Sequence, residues 1–184
     1  MTKAEEYAAK LGVSPNFWKL KPIKDFNQKE WEAVCSGCGK CCLCRVKKRK
    51  KFYPTTVACS HLDLHTGRCS IYTNRFKNNQ CEKVDLDDLS KQSDSYFFSC
   101  AYYLLYKGYD LPEWHPLKTG DPNSTYSSGN SVCSYTLQSE KDVKEEDLYD
   151  YIVDWKDLDS YIQVDGDLYC KAPKLGQSNN FKQG

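Results

Sequence analysis

No stretch of this chain approaches the roughly 20 apolar residues that a membrane-spanning helix needs, so no membrane partner is expected. The opening residues, Met1-Thr-Lys-Ala-Glu-Glu, lack the apolar core of a secretory leader, which predicts a cytoplasmic, reducing setting. Charge of one sign is missing too. Twenty-six Lys and Arg stand against 25 Asp and Glu, and this balance argues against a broad nucleic-acid face. Aliphatic side chains are scarce: Leu, Ile, Val and Phe fill 36 of 184 positions, near the fraction below which a chain cannot bury enough apolar surface to fold. There is no P-loop, no G-x-G-x-x-G, no H-E-x-x-H and no G-x-S-x-G, so these motifs nominate no catalytic constellation, and a cysteine nucleophile with a histidine base is diluted among eleven thiols.

Sulfur and aromatic rings are abundant instead, with 11 Cys, 14 Tyr and 4 Trp. Five of the thiols fall within residues 35–44. Cys35, Cys38 and Cys41 follow a C-x2-C-x2-C spacing, and Cys42 and Cys44 come directly after. Gly37 and Gly39 between them permit left-handed backbone, so the loop can turn tightly enough to aim several sulfurs at one point. Such a stretch suits a thiolate-bound metal. A disulfide framework fits less well, because eleven is odd and five thiols in ten residues suit convergence better than pairing across a fold.

Cys59, Cys69, Cys81, Cys100, Cys133 and Cys170 are spread over the remainder. Zinc and each iron-sulfur cluster take four protein ligands, so eight thiols suffice for two sites. Adjacent side chains diverge, so Cys41 and Cys42 point to two sites sharing one loop, or to a polynuclear centre. The expected cofactor is zinc or iron, the latter as an ion or an iron-sulfur cluster. His61, His65 and His115 could donate imidazoles, although a surface or structural role is the commoner fate of such residues.

Local patterns predict a helix over residues 2–11 stopped by Gly12, then an aromatic anchor at Phe17 and Trp18. Asn27 with Glu30 reads as a capping pair opening a short helix that delivers the chain to Cys35. Arg45–Lys51, six basic residues in seven, reads as a solvated loop rather than a phosphate-binding patch. A helical turn is expected around Ile71, Tyr72 and Arg75, and an acidic helix start at 85–89. Residues 100–108 read as a buried helix closed by Gly108, with Cys100 at its thiolate-favouring N-terminus. A strand over 131–137, an acidic helix over 144–155 and a disordered polar tail from 172 complete the reading.

Cys35-x2-Cys38-Gly39-x-Cys41-Cys42, then Cys59, Cys69-x-Ile71-Tyr72-x-x-Arg75 and Cys81, resembles the YkgJ cysteine-cluster family of zinc- or iron-chelating domains. Phe17-Trp18, Trp31-Glu32, Cys100-Ala101-Tyr102, Leu111-Pro112, Trp114-His115-Pro116-Leu117 and Thr119-Gly120 are similar to its YcgN branch. The resemblance implies metal ligation by Cys35, Cys38, Cys41, Cys42, Cys59, Cys69, Cys81 and Cys100, leaving Cys44, Cys133 and Cys170 as spare thiols. Phe76 stands where the wider family has Arg-Pro, and the basic run is not a family feature. It also implies an N-terminal helical extension over 1–15, a cysteine-cluster domain over 16–160 and a largely disordered extension over 161–184.

The expected fold is a small, mainly α, irregular single domain, metal-stapled, with long loops and little β. The expected function is chelation of zinc or iron, with a protein partner left open. The alternative is an iron-sulfur-dependent redox or group-transfer enzyme, or its accessory subunit.

Overall fold

The computed structural model describes residues 1–49, 51–77, 81, 84–91, 99–134, 137–153, 161–164 and 167–170. They belong to two compact units. The first comprises Met1–Ser36, Phe98–Ser124 and Asp159–Gly184, and the second Gly37–Phe97 with Thr125–Leu158.

Local capping sets the helices of the first unit. Thr2 accepts from the Glu5 amide while the Glu5 carboxylate accepts from the Thr2 amide, which starts the Lys3–Leu11 helix. Asn27 and Glu30 repeat the box for Gln28–Val34, and Lys21 pairs with the buried Glu30 at 2.8 Å. The Ala101–Tyr106 helix buries Ala101 through Leu105. It ends when the Tyr109 amide bonds Leu104 O and the Gly108 amide bonds Leu105 O, a Schellman closure. Its Tyr102 ring lies 5.0 Å from that of Trp31, and the Tyr102 hydroxyl donates to Trp31 O at 2.9 Å.

The polar centre of this unit has its hydrogen-bonding groups well matched. Asp110 accepts from Trp18 Nε1 at 2.8 Å and from the Leu111 amide at 2.7 Å, and pairs with Lys118 at 3.2 Å. Burial pushes its carboxyl up, but the Trp18 bond and the Lys118 charge outweigh this and hold it below the usual range. His115 is fully buried and caps the Pro116–Thr119 helix. The Leu117 amide donates to Nδ1 at 3.1 Å, so Nε2 carries the proton and donates to Val34 O at 2.9 Å. Gly120 ends the helix at φ 74, where a Cβ would run into the Lys3 backbone. The described backbone also includes an antiparallel pair, Tyr161–Val164 with Asp167–Cys170.

The second unit is built on a sheet. Strand β1 (Leu43–Lys48) pairs antiparallel with β2 (Lys51–Ala58), and β3 (Gln138–Ser139) runs parallel to β2. Lys48 faces Lys51 across a turn entered by Arg49 at φ 59. Leu43 and Ala58 bury with Leu62 and Val132, and Cys42, Leu64, Cys133, Leu137 and Val153 pack around them. The 3₁₀ segment Glu145–Tyr151 lies along the hairpin: Tyr149 Oη donates to Lys47 O, and the Val153 amide bonds Pro54 O. The Asp85 carboxylate accepts from the Asp88 amide at 2.9 Å and opens the Leu86–Lys91 helix. No helix among the described residues is long and apolar enough to cross a membrane.

Several expectations are corrected. The chain is mixed α/β in two units, not a mainly α, metal-stapled single domain with little β. Apolar packing and hydrogen bonds close the described parts of both units. Within the basic run, Arg45–Lys48 lies on β1 and Lys51 opens β2, rather than forming a loop, because Leu43 and Val46 bury on β1 and the strand-favouring Tyr53, Thr55, Thr56 and Val57 supply β2. Within 131–137, Val132–Ser134 is a 3₁₀ turn and the strand begins only at Gln138. The acidic segment is 3₁₀ rather than α over Glu145–Tyr151, and its continuation through Trp155 lies outside the described residues, as does the tail from 172.

Two outcomes test the first unit. Gly120→Ala should lower the urea midpoint by more than the typical surface substitution, since it adds both a clash and left-handed strain. Burial holds His115 down to about 4 from 6.5, with Lys118 reinforcing the effect and the Val34 bond and Asp110 opposing it. The unfolded chain therefore binds the extra proton first. Stability is full above pH 6.5 and falls by roughly 3 kcal/mol as pH drops to 4. Urea melts across that window should show the loss, and His115→Asn, which keeps an acceptor for Leu117, should flatten it.

Candidate metal centre

The five-thiol loop divides between the units. Cys35 follows the Gln28–Val34 helix as its C-cap in the first, and Cys100 caps the start of Ala101–Tyr106 in the same unit. Cys38 onward belongs to the second. There Gly39 adopts φ 76, and a Cβ on it would lie 2.6 Å from Val132 Cγ2, so the loop is pressed onto the core. The Val132 amide fastens it by bonding Cys38 O at 2.9 Å.

A 3₁₀ turn over Lys40–Cys42 then feeds β1. Leu43 pairs with Ala58, and the Cys59 amide bonds Cys42 O at 2.7 Å, placing Cys42 and Cys59 across from each other. An isolated bridge between Leu62 and Cys69 folds the next loop back, with Asp63 Oδ1 holding the His65 and Thr66 amides at its tip. The Tyr72–Asn74 turn follows. Arg75 stacks on the Tyr72 and Phe76 rings at 3.8 and 4.3 Å and donates to Tyr72 O, leading the chain toward Cys81.

Four separated segments thus bring their thiols into one neighbourhood. Cys81 is pushed up by burial, then by Cys41, with Cys69 and Cys59 adding to it and Arg75 opposing. The hydrogen bond that the Cys41 thiol makes to Cys42 and loss of solvent raise Cys41 well above the thiol range, while Arg45 opposes. Although Cys41 as a residue is exposed, its sulfur is crowded by these neighbours. Burial, followed by the Glu140 carboxylate, pushes Cys44 up to about 11, and Cys59 contributes. Thiols whose burial and like neighbours outweigh the nearby arginines keep their protons, and a bound cation reverses that preference.

The structure therefore gathers Cys41, Cys42, Cys59, Cys69 and Cys81 of the expected set, and adds Cys44. Cys38 is half-buried in the same unit. His115 is not a donor, since both ring nitrogens are engaged. His61 and His65 ride the turn between Cys59 and Cys69, half-buried and exposed. Cys133 packs toward the core, its Sγ 3.8 Å from Asp63 O. The side chain of Cys170 lies outside the described residues. None of the ten described cysteines is in a disulfide. Among the described residues, no three of His, Cys, Asp and Glu stand in metal-holding geometry as they are. The donor chemistry, soft sulfur in a crowd, nonetheless fits zinc or iron.

Two participants escape a sequence reading. Cys44 sits on β1 where three β2 residues, Thr55 to Val57, oppose it as a bulge. Thr55, fully buried, donates from Oγ1 to Cys44 O at 2.8 Å and accepts from the Val57 amide at 3.1 Å. Glu140 arrives just after β3 and accepts from the Ser60 amide at 2.7 Å. Burial along β1 does not alternate, so no period-2 pattern marks the first. Nothing local marks the second.

These features define a cysteine-rich mixed α/β protein whose second unit collects thiols beside a small sheet. A UPF0260 protein of Haemophilus influenzae (strain PittEE) is 40% identical over 152 residues, covering 78% of this chain and 96% of the relative. One from Pasteurella multocida is 40% identical over 152 residues, covering 79% and 98%. A third, from Marinobacter nauticus, is 37% identical over 141 residues, covering 76% and 95%. The chain belongs to the UPF0260 family. None of these relatives bears the YkgJ or YcgN name that the motif order suggests, and UPF0260 is a distinct label, so that assignment is corrected. No protein-family model and no solved structure matches the chain.

Thr55→Val tests the bulge. It leaves the buried Val57 amide and Cys44 carbonyl without their side-chain partner, which should cost about 1–3 kcal/mol in urea unfolding. Thr55→Ser, which keeps the hydroxyl, should recover most of the loss.

Proposed function

We propose that this protein chelates zinc or iron, as an ion or an iron-sulfur cluster, through the thiols of its second unit: Cys38, Cys41, Cys42, Cys59, Cys69 and Cys81. The observation that carries the reading is the Cys81 thiol, which feels Cys41, Cys69 and Cys59 from three other segments. The reading rests on the thiols alone. Cys35 and Cys100, held at helix ends of the first unit, are assigned by the same measurement as the rest.

The chain's own contribution is to hold these sulfurs close while Arg75 and Arg45 offset part of their negative charge. A bound cation would supply the remaining positive charge and displace thiol protons. The reading assigns a bound metal and no reaction.

Anaerobic purification followed by metal and acid-labile sulfide analysis tests it. Wild type should carry zinc or iron, Cys69→Ser should lose metal, and Cys170→Ser should retain it. Because apolar packing closes the described core of the second unit, chelation should strip the metal with the far-UV spectrum largely kept. Wild type that binds neither ion after reduction would contradict the reading.

A further inference from the structure

We propose that Cys44 and Glu140 supply a sulfur and an oxygen donor to the divalent cation bound by Cys59, making a mixed thiolate–carboxylate site at the β1–β2 bulge. This rests on the metal-binding reading above and changes its donor set, bringing in a thiol expected to be spare and a carboxylate 80 residues beyond Ser60.

Two hydrogen bonds carry it. Cys44 Sγ lies 3.7 Å from Glu140 Oε2. The same carboxylate is hydrogen-bonded by Cys59. Around tetrahedral zinc, with Zn–S about 2.3 Å and Zn–O about 2.0 Å, neighbouring sulfur and oxygen donors are about 3.5 Å apart. The observed separation is close to that edge. Both thiols thus hydrogen-bond one carboxylate, and a cation taking the place of their protons would meet all three donors.

The carboxylate is also held in place from outside the set. Its other oxygen, Oε1, accepts from the Ser60 amide at 2.7 Å, and the Glu140 amide bonds Ala58 O at 2.9 Å. Backbone contacts of this kind orient a ligating carboxylate, as partners in the shell around a metal's ligands do. The bulge does the same for Cys44, whose carbonyl is tied to Thr55.

Binding is an exchange without redox. The two S–H bonds break, both protons leave to solvent, and two sulfur–metal bonds form beside the carboxylate oxygen. Two sulfurs and one oxygen suit a borderline ion such as zinc or ferrous iron.

The test titrates metal-free full-length protein with Co²⁺ under anaerobic, reducing conditions, comparing wild type with Cys44→Ser, Glu140→Gln and Cys133→Ser. Glu140→Gln keeps an oxygen for the Ser60 amide, so it decides the matter even if Cys44→Ser fails to fold. Wild type should bind cobalt and release two protons at this site. Cys44→Ser should lose one thiolate's share of the sulfur-to-cobalt absorption. Glu140→Gln should weaken binding about 10–100-fold and shift the visible bands of the ion, which a mere positioning role would leave in place. Cys133→Ser should match wild type. Cobalt uptake that Cys44→Ser and Glu140→Gln leave unchanged would overturn this donor set while metal binding stands. No uptake by wild type would overturn the metal-binding reading itself and this inference with it.

Discussion

The antiparallel register that sets Leu43 against Ala58 governs where the thiols of the second unit stand. It puts both residues into the core with Leu62 and Val132, and brings the Cys59 amide to Cys42 O at 2.7 Å. From Cys59 the chain turns through Leu62, whose bridge to Cys69 hangs the next thiol from the same edge. A slip of one residue would exchange the faces, sending Cys44 inward and Leu43 outward. The bulge opposite Cys44 guards against that. Thr55 fills it with a buried hydroxyl that satisfies one carbonyl and one amide, so the irregularity is held by hydrogen bonds rather than tolerated as slack.

Electrostatics then decides the state of those thiols. Burial and like neighbours push Cys41, Cys44, Cys59 and Cys81 up, while Arg45, Arg75 and backbone hydrogen bonds such as that of His61 to Cys59 pull the other way. A cation would compete with protons, so affinity should rise with pH in the manner of thiolate sites generally. The first unit solves a different problem. Asp110 and His115 are buried polar groups, and each is matched to donors or acceptors drawn from several segments.

What could be read in advance was local. Asn27 with Glu30, and the glycines at 12 and 108, act within a turn of their helices, and each stands where its pattern says. The hairpin escaped because a run of six basic residues hides the apolar spacing of Leu43 and Val46, and because β2 gains its partner only by folding. Val132 misled for a similar reason: it reads as part of a strand but serves as a single knob under Gly39. At the site, the crowding of Cys35 to Cys44 announced sulfur chemistry, while the split of Cys35 from Cys38 between units did not show. Cys44 reads as spare because it lies outside the eight cysteines that the family resemblance implies, and nothing local marks Glu140, which meets Ser60 only once β3 lies parallel to β2. The motif order pointed to one family label and the relatives carry another.

Sulfur coordination in the second unit is the claim on which the rest turns. X-ray absorption at the metal edge of the purified, metal-loaded chain tests it most directly. The expected result is a first shell dominated by sulfur at about 2.3 Å, with a lighter neighbour near about 2.0 Å. A first shell made only of nitrogen and oxygen would contradict it.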